Sequence, residues 1–271
     1  MSTRYWVQSG GANAGNWDHT DNWSATQGGA GGATVPIDGD TVYIIGPATI
    51  TSGLNQTGID LVLLTITGTV NIGTLASPLI ISATGGSRKV NYSGTGAVFL
   101  QAGTTAIQRL NVFSTYPGVL TLTGGTFVLI HAGTNGFVNC TGGTFQTGVI
   151  TCGIGFAFAS SCSIGATVQI AAGAISSAAD IANVSQYAGA VTLTGAAGIT
   201  DTIYVTNGVF NHNSSGTIND LTVASSGRAR SSGASPVFIV TNSTKYAGAY
   251  MFDNDPVSVT YSNATERVGY P

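Results

Sequence analysis

Three tripeptides recur at one constant interval along the chain: Val70-Asn71-Ile72, Val90-Asn91-Tyr92 and Leu110-Asn111-Val112. Each places an amide side chain between two apolar side chains, which is the alternation expected of a β-strand with one buried face. The pentapeptide TGGTF begins at Thr123 and returns at Thr141 after a slightly shorter interval. Repeats of such a short period are typical of a solenoid, in which each coil stacks on the one before it.

Other apolar positions follow the same spacing. Leu79-Ile80, Phe99-Leu100 and Val119-Leu120 share the interval of the tripeptides, Ile59 falls on that register one coil earlier, and the segment Leu120 to Gly124 is echoed at Val191 to Gly195. Stacked coils bring equivalent residues to about 4.8 Å from one another, so inward positions would form aliphatic columns. Asn71, Asn91 and Asn111 would form a ladder, in which each side-chain NH2 donates to the carbonyl of the next coil.

We therefore predict an all-β fold, a right-handed parallel β-helix with coils of about 18 to 20 residues. The hand follows from the general preference for right-handed crossovers. A β-sandwich with many glycine-rich turns is the alternative, but three matches at one period disfavour it. We expect residues 1–58 to form an N-terminal cap and the entry to the solenoid, residues 59–235 the β-helix, and residues 236–271 a C-terminal cap or interface segment.

The composition restricts the class of protein. Only 7% of the residues are charged, whereas about 25% is usual, and 39 residues are glycine. No apolar run approaches the roughly 18 residues needed to span a bilayer, so no membrane segment is expected. The net charge of −3 leaves no basic stripe for nucleic acid. The three cysteines, Cys140, Cys152 and Cys162, are expected to be small buried hydrophobic side chains.

The predicted cap, residues 1–58, contains all three tryptophans, Trp6, Trp17 and Trp23. The open end of a solenoid exposes unpaired backbone, and terminal repeats therefore need atypical caps. We predict that this segment covers one end, with Trp17 and Trp23 at least partly buried, and that the first coil begins at Val42. The opening residues carry no secretory signal pattern, so synthesis in a cytoplasm is expected.

A resemblance supports this interpretation. Gly15-Asn16-Trp17, Asn22-Trp23-Ser24, Val35-Pro36 and Gly39-Asp40-Thr41-Val42, together with Trp6 and Gly28-Gly29, resemble the entry segment of bacterial and bacteriophage β-helix proteins. In that group the segment introduces the solenoid of autotransporter-like passengers and of phage virion proteins. The resemblance is confined to this part of the chain and implies the fold more than any function. The missing export signal favours the phage members.

The C-terminal segment is rich in aromatic residues. We expect Tyr246, Tyr250, Phe252, Tyr261 and Tyr270 to form a cap, a subunit interface or a partner-binding surface, because rigid aromatic side chains are enriched at interfaces.

Catalytic carboxylates are scarce. Many β-helix proteins cleave polysaccharides, but glycoside hydrolysis needs two carboxylates about 5 to 9.5 Å apart. Between Leu61 and Ala179 there is neither Asp nor Glu. Asp201 and Asp220, separated by about one coil length, form the best candidate pair if they stack on successive coils. Stacked surface aspartates are commoner than catalytic ones, so we expect no enzyme activity, no catalytic residue and no cofactor.

Two smaller constellations also have structural and functional interpretations. Asp18-His19-Thr20-Asp21 could bind a metal ion with Asp38 or Asp40, but Asp residues in glycine-rich loops more often bond to their own backbone, so no metal site is predicted. Arg88, Lys89 and Arg109 could form a small basic patch for an acidic partner, or a solvated turn. His19, His131 and His212 are scattered and suggest no triad.

These features together favour a structural protein of a bacteriophage virion. The expected role is a capsid decoration or cement protein, a homotrimer whose partner is the major capsid protein or another virion protein. The alternative is a tail-fibre, tailspike or adhesin module that binds a host surface glycan. A polysaccharide-cleaving enzyme is a third, weaker hypothesis.

Overall fold

The computed structural model describes residues 1–113, 119–132, 137–145, 149–152, 155–194, 199–231, 237–252 and 258–267. Strands make up 64% of the chain, and coils of parallel strands stack on one another as a β-solenoid, which confirms the predicted fold class. The chain divides into two compact units, Met1–Thr144 and Phe145–Pro271. No helix in the part of the chain that the structure describes is long and apolar enough to cross a membrane.

Unit 1 is built mostly from short strands, with one strand of 15 residues and one 3-10 turn at Thr20–Asn22. Its strands are β1 (Thr3–Trp6), β2 (Trp23–Ser24), β3 (Thr41–Ile45), β4 (Ala48–Ile50), β5 (Asn55–Asp60), β6 (Leu63–Gly68), β7 (Val70–Ile72), β8 (Leu79–Ala83), β9 (Lys89–Gly94), β10 (Val98–Val112), β11 (Val119–Gly124), β12 (Thr126–Ala132), β13 (Phe137–Cys140) and β14 (Gly143–Phe145), the last of which ends at the first residue of unit 2.

Unit 2 is built in the same way, with several longer strands. They are β15 (Val149–Cys152), β16 (Gly155–Phe158), β17 (Cys162–Ile170), β18 (Ala174–Ser177), β19 (Ile181–Gln186), β20 (Ala190–Leu193), β21 (Ile199–His212), β22 (Thr217–Arg230), β23 (Val237–Tyr246), β24 (Tyr250–Met251) and β25 (Ser258–Arg267).

One parallel stack in unit 1 runs through β3, β6, β9, β10 and β12. Its inward column consists of Val42, Leu64, Val90, Leu110 and Ile130, each opposite the next. All five side chains are buried. The coil from Leu64 to Val90 is the longest of this stack, and the two coils that follow it are the shortest. Strand register is therefore constant while coil length varies, and the variation lies in the turns.

The predicted asparagine ladder is correct for two of its three members. Asn91 and Asn111 lie opposite each other on β9 and β10. Asn71 lies on β7, where it pairs with Thr49 of β4, so placing it in the ladder was wrong. The long coil between Leu64 and Val90 displaces the repeat, and the residue that Asn91 faces there is Thr65.

The predicted alignment of apolar pairs is also displaced. Leu79 lies opposite Leu100, and Val98 lies opposite Leu120, so the register differs from the expected constant spacing by one or two positions. Ile59 is not part of this column, because Asp60 of the same strand pairs with Ser82. Since side chains alternate between the two faces of a strand, a slip by a single position reverses which side chain is buried.

Unit 2 has an equivalent inward column. Val168, Val184, Ile203 and Leu221 lie opposite one another on β17, β19, β21 and β22, and all are buried. The coil from Val168 to Val184 is shorter than any coil of the stack described for unit 1. The register of this stack is less regular than that of the stack in unit 1, because it shifts between Ile164 and Thr167 and between Val205 and Asn207.

The two TGG turns each make the same kind of hydrogen bond. The hydroxyl groups of Thr123 and Thr141 donate to Leu100 O and Leu122 O, at 3.4 and 3.2 Å. Each bond reaches the preceding coil, which accounts for the recurrence of the motif. Gly125 follows with φ of 82°, and a Cβ there would lie 2.3 Å from Ala102 O, so only glycine fits.

The start of the solenoid agrees with the sequence. Strand β3 begins at Thr41, immediately before the expected start of the first coil at Val42, and it pairs in parallel with β6. Strand β1 also pairs in parallel with β3, so coil register extends to Thr3. The boundary expected near residue 235 lies outside the described residues.

Candidate binding surfaces

The three tryptophans form a buried aromatic cluster. Trp17 and Trp23 are fully buried and Trp6 is 6% exposed, which confirms the expected burial. The rings meet edge to face, with centroids 5.1 Å apart for Trp6 and Trp23 and 4.8 Å apart for Trp17 and Trp23. Trp23 Nε1 donates to Trp17 O at 2.7 Å. These side chains are interior groups of the N-terminal layer, so they are not exposed anchors for a partner.

The outward face of unit 1 carries a continuous polar and aromatic column. Its members, in coil order, are Tyr5, Tyr43, Thr65, Asn91, Asn111 and His131. Asn111 Nδ2 donates to Asn91 Oδ1 at 2.9 Å, so the amide pair is held in a fixed orientation. Asn71 lies outside this column, where its Oδ1 accepts from Ala97 N at 3.0 Å.

The first end of this column is an aromatic stack beside a cavity. The rings of Tyr5 and Tyr43 are stacked, with centroids 5.1 Å apart and planes 13° apart. A cavity of about 230 Å³ adjoins them; we call it the tyrosine cavity. Its lining residues are Tyr5, Trp6, Val7, Gln27, Gly28, Tyr43 and Ile45.

Two further cavities have polar linings. One in unit 1, of about 470 Å³, is lined by Thr51, Ser52, Gly53, Leu54, Asn55, Ala76, Ser77, Pro78 and Ile80. One in unit 2, of about 480 Å³, is lined by Ser160, Cys162, Ser163, Ile164, Gly165, Ala178, Ala179, Asp180 and Ala182. Neither lining contains an aromatic ring, and the lining in unit 2 includes two ionisable side chains, Cys162 and Asp180.

Asp40 and Asp60 bond to backbone and side-chain groups of unit 1 and stabilise its fold. Asp40 is fully buried, and its oxygens accept from the backbone N–H groups of Ser2 and Ile37 at 2.7 and 3.2 Å. Asp60 pairs with Arg88 at 2.8 Å and accepts from the backbone and hydroxyl of Thr84. Burial alone would raise the pKa of Asp60, but the bonds from Thr84 and Arg88 outweigh it and lower the pKa.

The residues that were considered for a metal site make hydrogen bonds within the chain. His19 Nδ1 accepts from Asp21 N, Asp18 Oδ1 accepts from Gln56 Nε2 at 2.6 Å, and Asp38 Oδ1 accepts from Asp60 N at 2.8 Å. Among the residues that the structure describes, no group of three or more His, Cys, Asp or Glu could hold a metal ion. These aspartates bond to the chain itself, as residues of this type commonly do in loops.

Asp201 and Asp220 do not stack on each other, so the best candidate carboxylate pair is wrong. Asp220 lies opposite Thr202. Asn219 Nδ2 donates to Asp201 Oδ1 at 2.9 Å, and Asn242 Nδ2 donates to Asp220 Oδ1 at 2.9 Å. Each carboxylate therefore has an amide donor from the next coil.

Unit 2 contains an amide ladder that was not predicted from the sequence. Asp220, Asn242 and Asn263 lie opposite one another, and Asn263 Nδ2 donates to Asn242 Oδ1 at 3.0 Å. The ladder is exposed, unlike the half-buried pair of unit 1. A recurring Asx-x-Thr triplet was the available signal, since Thr222, Thr244 and Thr265 follow the three ladder residues at the same offset.

The cationic side chains are distributed over both units. Arg88 forms an ion pair with Asp60 at 2.8 Å, so its charge is compensated within the chain and does not add to a basic patch with Lys89 and Arg109. In unit 2, Arg228 lies opposite Tyr250, and the Arg230 guanidinium lies 5.5 Å from the centroid of that ring. This geometry matches a cation–π contact.

The C-terminal aromatic residues differ in exposure. Tyr246 and Tyr250 are half-buried, Phe252 is buried with φ of 53°, and Tyr261 is 37% exposed. Tyr270 lies outside the described residues. Tyr261 is therefore the most accessible of the described members of this predicted surface.

Buried cysteine and histidine side chains belong to the core. Cys140 and Cys162 are buried, as expected, and the side chain of Cys152 lies outside the described part of the chain. His212 is also buried, and burial lowers its pKa to about 4, against a smaller opposing hydrogen bond with the backbone of Gly216. This histidine is neutral at neutral pH.

Comparisons with known proteins identify no relative of this chain. No protein-family model, no curated protein and no solved structure matches this chain.

Proposed function

We propose that this chain is a non-enzymatic structural protein of a bacteriophage virion, acting as a capsid decoration or cement protein. The observation that carries the proposal is the use of its acidic groups. All eight aspartates with described side chains (Asp18, Asp21, Asp38, Asp40, Asp60, Asp180, Asp201 and Asp220) have a partner within the protein. Carboxylates used in this way hold turns and coils together.

The chemical argument against catalysis follows from those contacts. A general acid, base or nucleophile exchanges a proton or an electron pair with a substrate, and glycoside hydrolysis needs two such carboxylates about 5 to 9.5 Å apart. Asp201 and Asp220 instead accept amide protons on the outside of successive coils, and Asp60 is held by Arg88. A rigid, weakly charged scaffold of this kind supports a role in attachment and stabilisation.

The partner is the major capsid protein or another virion protein, and the assembly is a homotrimer. Identical footprints on a symmetric oligomer act together, so several weak contacts give stable attachment to a repeating lattice. The accessible Tyr261 and the half-buried Tyr246 and Tyr250 are the aromatic anchors for such contacts. The proposed location of the protein is therefore the virion.

Co-sedimentation tests the proposal directly. Purified protein is mixed with assembled capsids of the phage that carries the gene, and pelleting is measured beside release of reducing sugar from host polysaccharides. We expect pelleting without sugar release. Asp201→Asn and Asp220→Asn should leave pelleting unchanged, whereas Tyr250→Ala and Tyr261→Ala should weaken it.

Three results would contradict this proposal. Sugar release abolished by one Asp→Asn change would identify an enzyme. Binding to host cells without binding to capsids would identify a tail-fibre or adhesin module. A monomeric mass by light scattering at working concentration would refute the trimer.

A further inference from the structure

We infer that the tyrosine cavity binds one neutral sugar ring, a pyranose unit of a glycan. This inference goes beyond the proposed virion role and does not depend on it, because the cavity belongs to unit 1 alone. The inference is supported by one combination of features: stacked tyrosine rings, exposed aliphatic surface and uncharged polar groups lie together in one concave site.

The size of the cavity selects a small ligand. Sites for drug-sized ligands usually measure about 300 to 1,000 Å³. The tyrosine cavity measures about 230 Å³ and is open to solvent on one side, since Gln27, Gly28 and Ile45 are exposed. It accommodates a single ring, with the rest of a glycan extending outward.

The lining selects a neutral ligand. None of its seven residues is Asp, Glu, Lys, Arg or His. A charged ligand entering this site would lose hydration without gaining a counter-charge, which is unfavourable. A pyranose has apolar C–H faces that pack on tyrosine rings and on Val7 and Ile45, the latter 40% exposed.

The polar groups suit a ligand that carries hydroxyl or acetamido oxygens. Gln27 presents an exposed amide, which can both donate and accept. Trp6 also lines the cavity, and its Nε1 is buried with no hydrogen-bond partner in the part of the chain that the structure describes. That nitrogen is covered by protein, so the polar contact available to a ligand in the cavity is the exposed amide of Gln27.

The aromatic wall is organised before any ligand binds. Tyr5 and Tyr43 lie opposite each other in the parallel pairing of β1 and β3, which fixes their stack. Trp6 is held by its edge-to-face contact with Trp23. Rigid walls reduce the conformational entropy lost on binding, so even a small site can be selective.

Binding of simple glycosides to the full-length protein tests the inference. The probes are the methyl glycosides of glucose, galactose, mannose and N-acetylglucosamine, measured by saturation-transfer NMR and calorimetric titration. We expect saturable binding of at least one of them. Gln27→Ala removes one hydrogen bond from an exposed loop and should weaken binding about fivefold.

Two further variants separate the site from the rest of the surface. Ile45→Trp should abolish binding by filling the cavity, since Ile45 is exposed and the larger ring can be accommodated outside the core. Tyr187→Ala removes a tyrosine that is 50% exposed in unit 2 and should leave binding unchanged. Far-UV circular dichroism and thermal unfolding check that each variant remains folded.

The inference is overturned if none of the four glycosides binds saturably. It is also overturned if Gln27→Ala and Ile45→Trp both bind as the unaltered protein does, or if a uronic acid glycoside or an apolar peptide occupies the cavity in preference to every neutral sugar. Capsid co-sedimentation of Gln27→Ala distinguishes the two proposals. We expect it to be unchanged, because this site is not the capsid contact.

Discussion

The first and last layers of the described chain differ in how completely the side chains of their core columns are buried. In unit 1, Val42 and Ile50 of the first stacked coil are fully buried, in the unit that also contains the tryptophan cluster. In unit 2, Ile218 and Val240 are fully buried, but Tyr261, next in the same column, is 37% exposed. An inward position therefore buries a side chain only when another layer lies over it.

The difference shows where aromatic side chains contribute stability. Burial of a large aromatic ring removes its area from water, whereas a ring at an uncovered position keeps much of that area exposed. Trp17 N donates to Ser52 O at 2.9 Å, which links the tryptophan segment to the chain after β4. The N-terminal layer is thus bonded into the solenoid as well as packed against it.

Replacing a tryptophan of the covered layer should have the largest effect. Trp23→Ala removes a fully buried ring that contacts both Trp6 and Trp17, and we expect unfolding free energy to fall by about 3 to 5 kcal/mol. Denaturant unfolding followed by the remaining tryptophan fluorescence measures the loss. A fall of less than about 1 kcal/mol would contradict the structural importance of this layer.

Acid should act on unit 2 through His212. Its pKa is lowered from 6.5 to about 4, so the unfolded chain binds a proton that the folded chain does not between those values. The contribution of this group to the unfolding free energy should be largest above pH 6.5, fall as the pH decreases towards 4, and then level off. The total loss from this group is about 3 kcal/mol.

Hydrogen exchange can localise that acid effect. All three tryptophans lie in unit 1, so their fluorescence reports on that unit alone. Peptides that span residues 199–230 should lose protection between pH 6.5 and 4 before the fluorescence changes. His212→Gln should reduce the pH dependence, and His131→Gln, at an exposed position in unit 1, should not.

The half-buried amide pair of unit 1 should contribute more to stability than the exposed amide ladder of unit 2. Asn91→Ala leaves Asn111 Nδ2 without its acceptor in a half-buried column and should cost about 1 to 3 kcal/mol. Asn242→Ala breaks two bonds of an exposed ladder, where water replaces the lost partners, and should cost less. Equal losses in thermal unfolding of the two variants would refute this distinction.

The smallest effect is expected at the exposed aromatic position. Tyr261→Ala should lower the unfolding free energy by about 1 kcal/mol or less, because much of the ring is already in water. The same variant should weaken attachment to capsids, which separates a binding role from a structural one. A stability loss comparable with that of Trp23→Ala would show that Tyr261 is covered in solution.

The sequence predicted the stacked coils because alternation and near-constant spacing are both visible in it. Asn91 and Asn111 were located correctly, since the coil between their strands has the length that the repeated tripeptides indicate. Asn71 was misplaced because the longer coil from Leu64 to Val90 interrupts the period, and three similar tripeptides concealed the interruption. Length changes in turns are not encoded in the strand pattern.

The tyrosine cavity could not be predicted from the spacing of residues along the sequence. The tyrosine cavity forms where Gln27 and Gly28 lie next to Tyr5 and Tyr43, and that proximity depends on the path of a glycine-rich loop. No spacing rule relates those positions. The ladder at Asp220 and Asn242 was missed for a related reason, because its members are spaced more widely than the period found earlier in the chain.

The varying coil length has a consequence for how such a chain can change. The short coil from Val168 to Val184 and the long coil from Leu64 to Val90 both keep these core residues opposite each other, so residues are gained or lost in the turns without displacing a core column. Insertions at these corners alter the outline of one coil while the next coil pairs as before. The corners between strands are therefore positions where peptides can be added to the protein, whereas a single insertion within a strand would reverse the faces of the side chains in the rest of that strand.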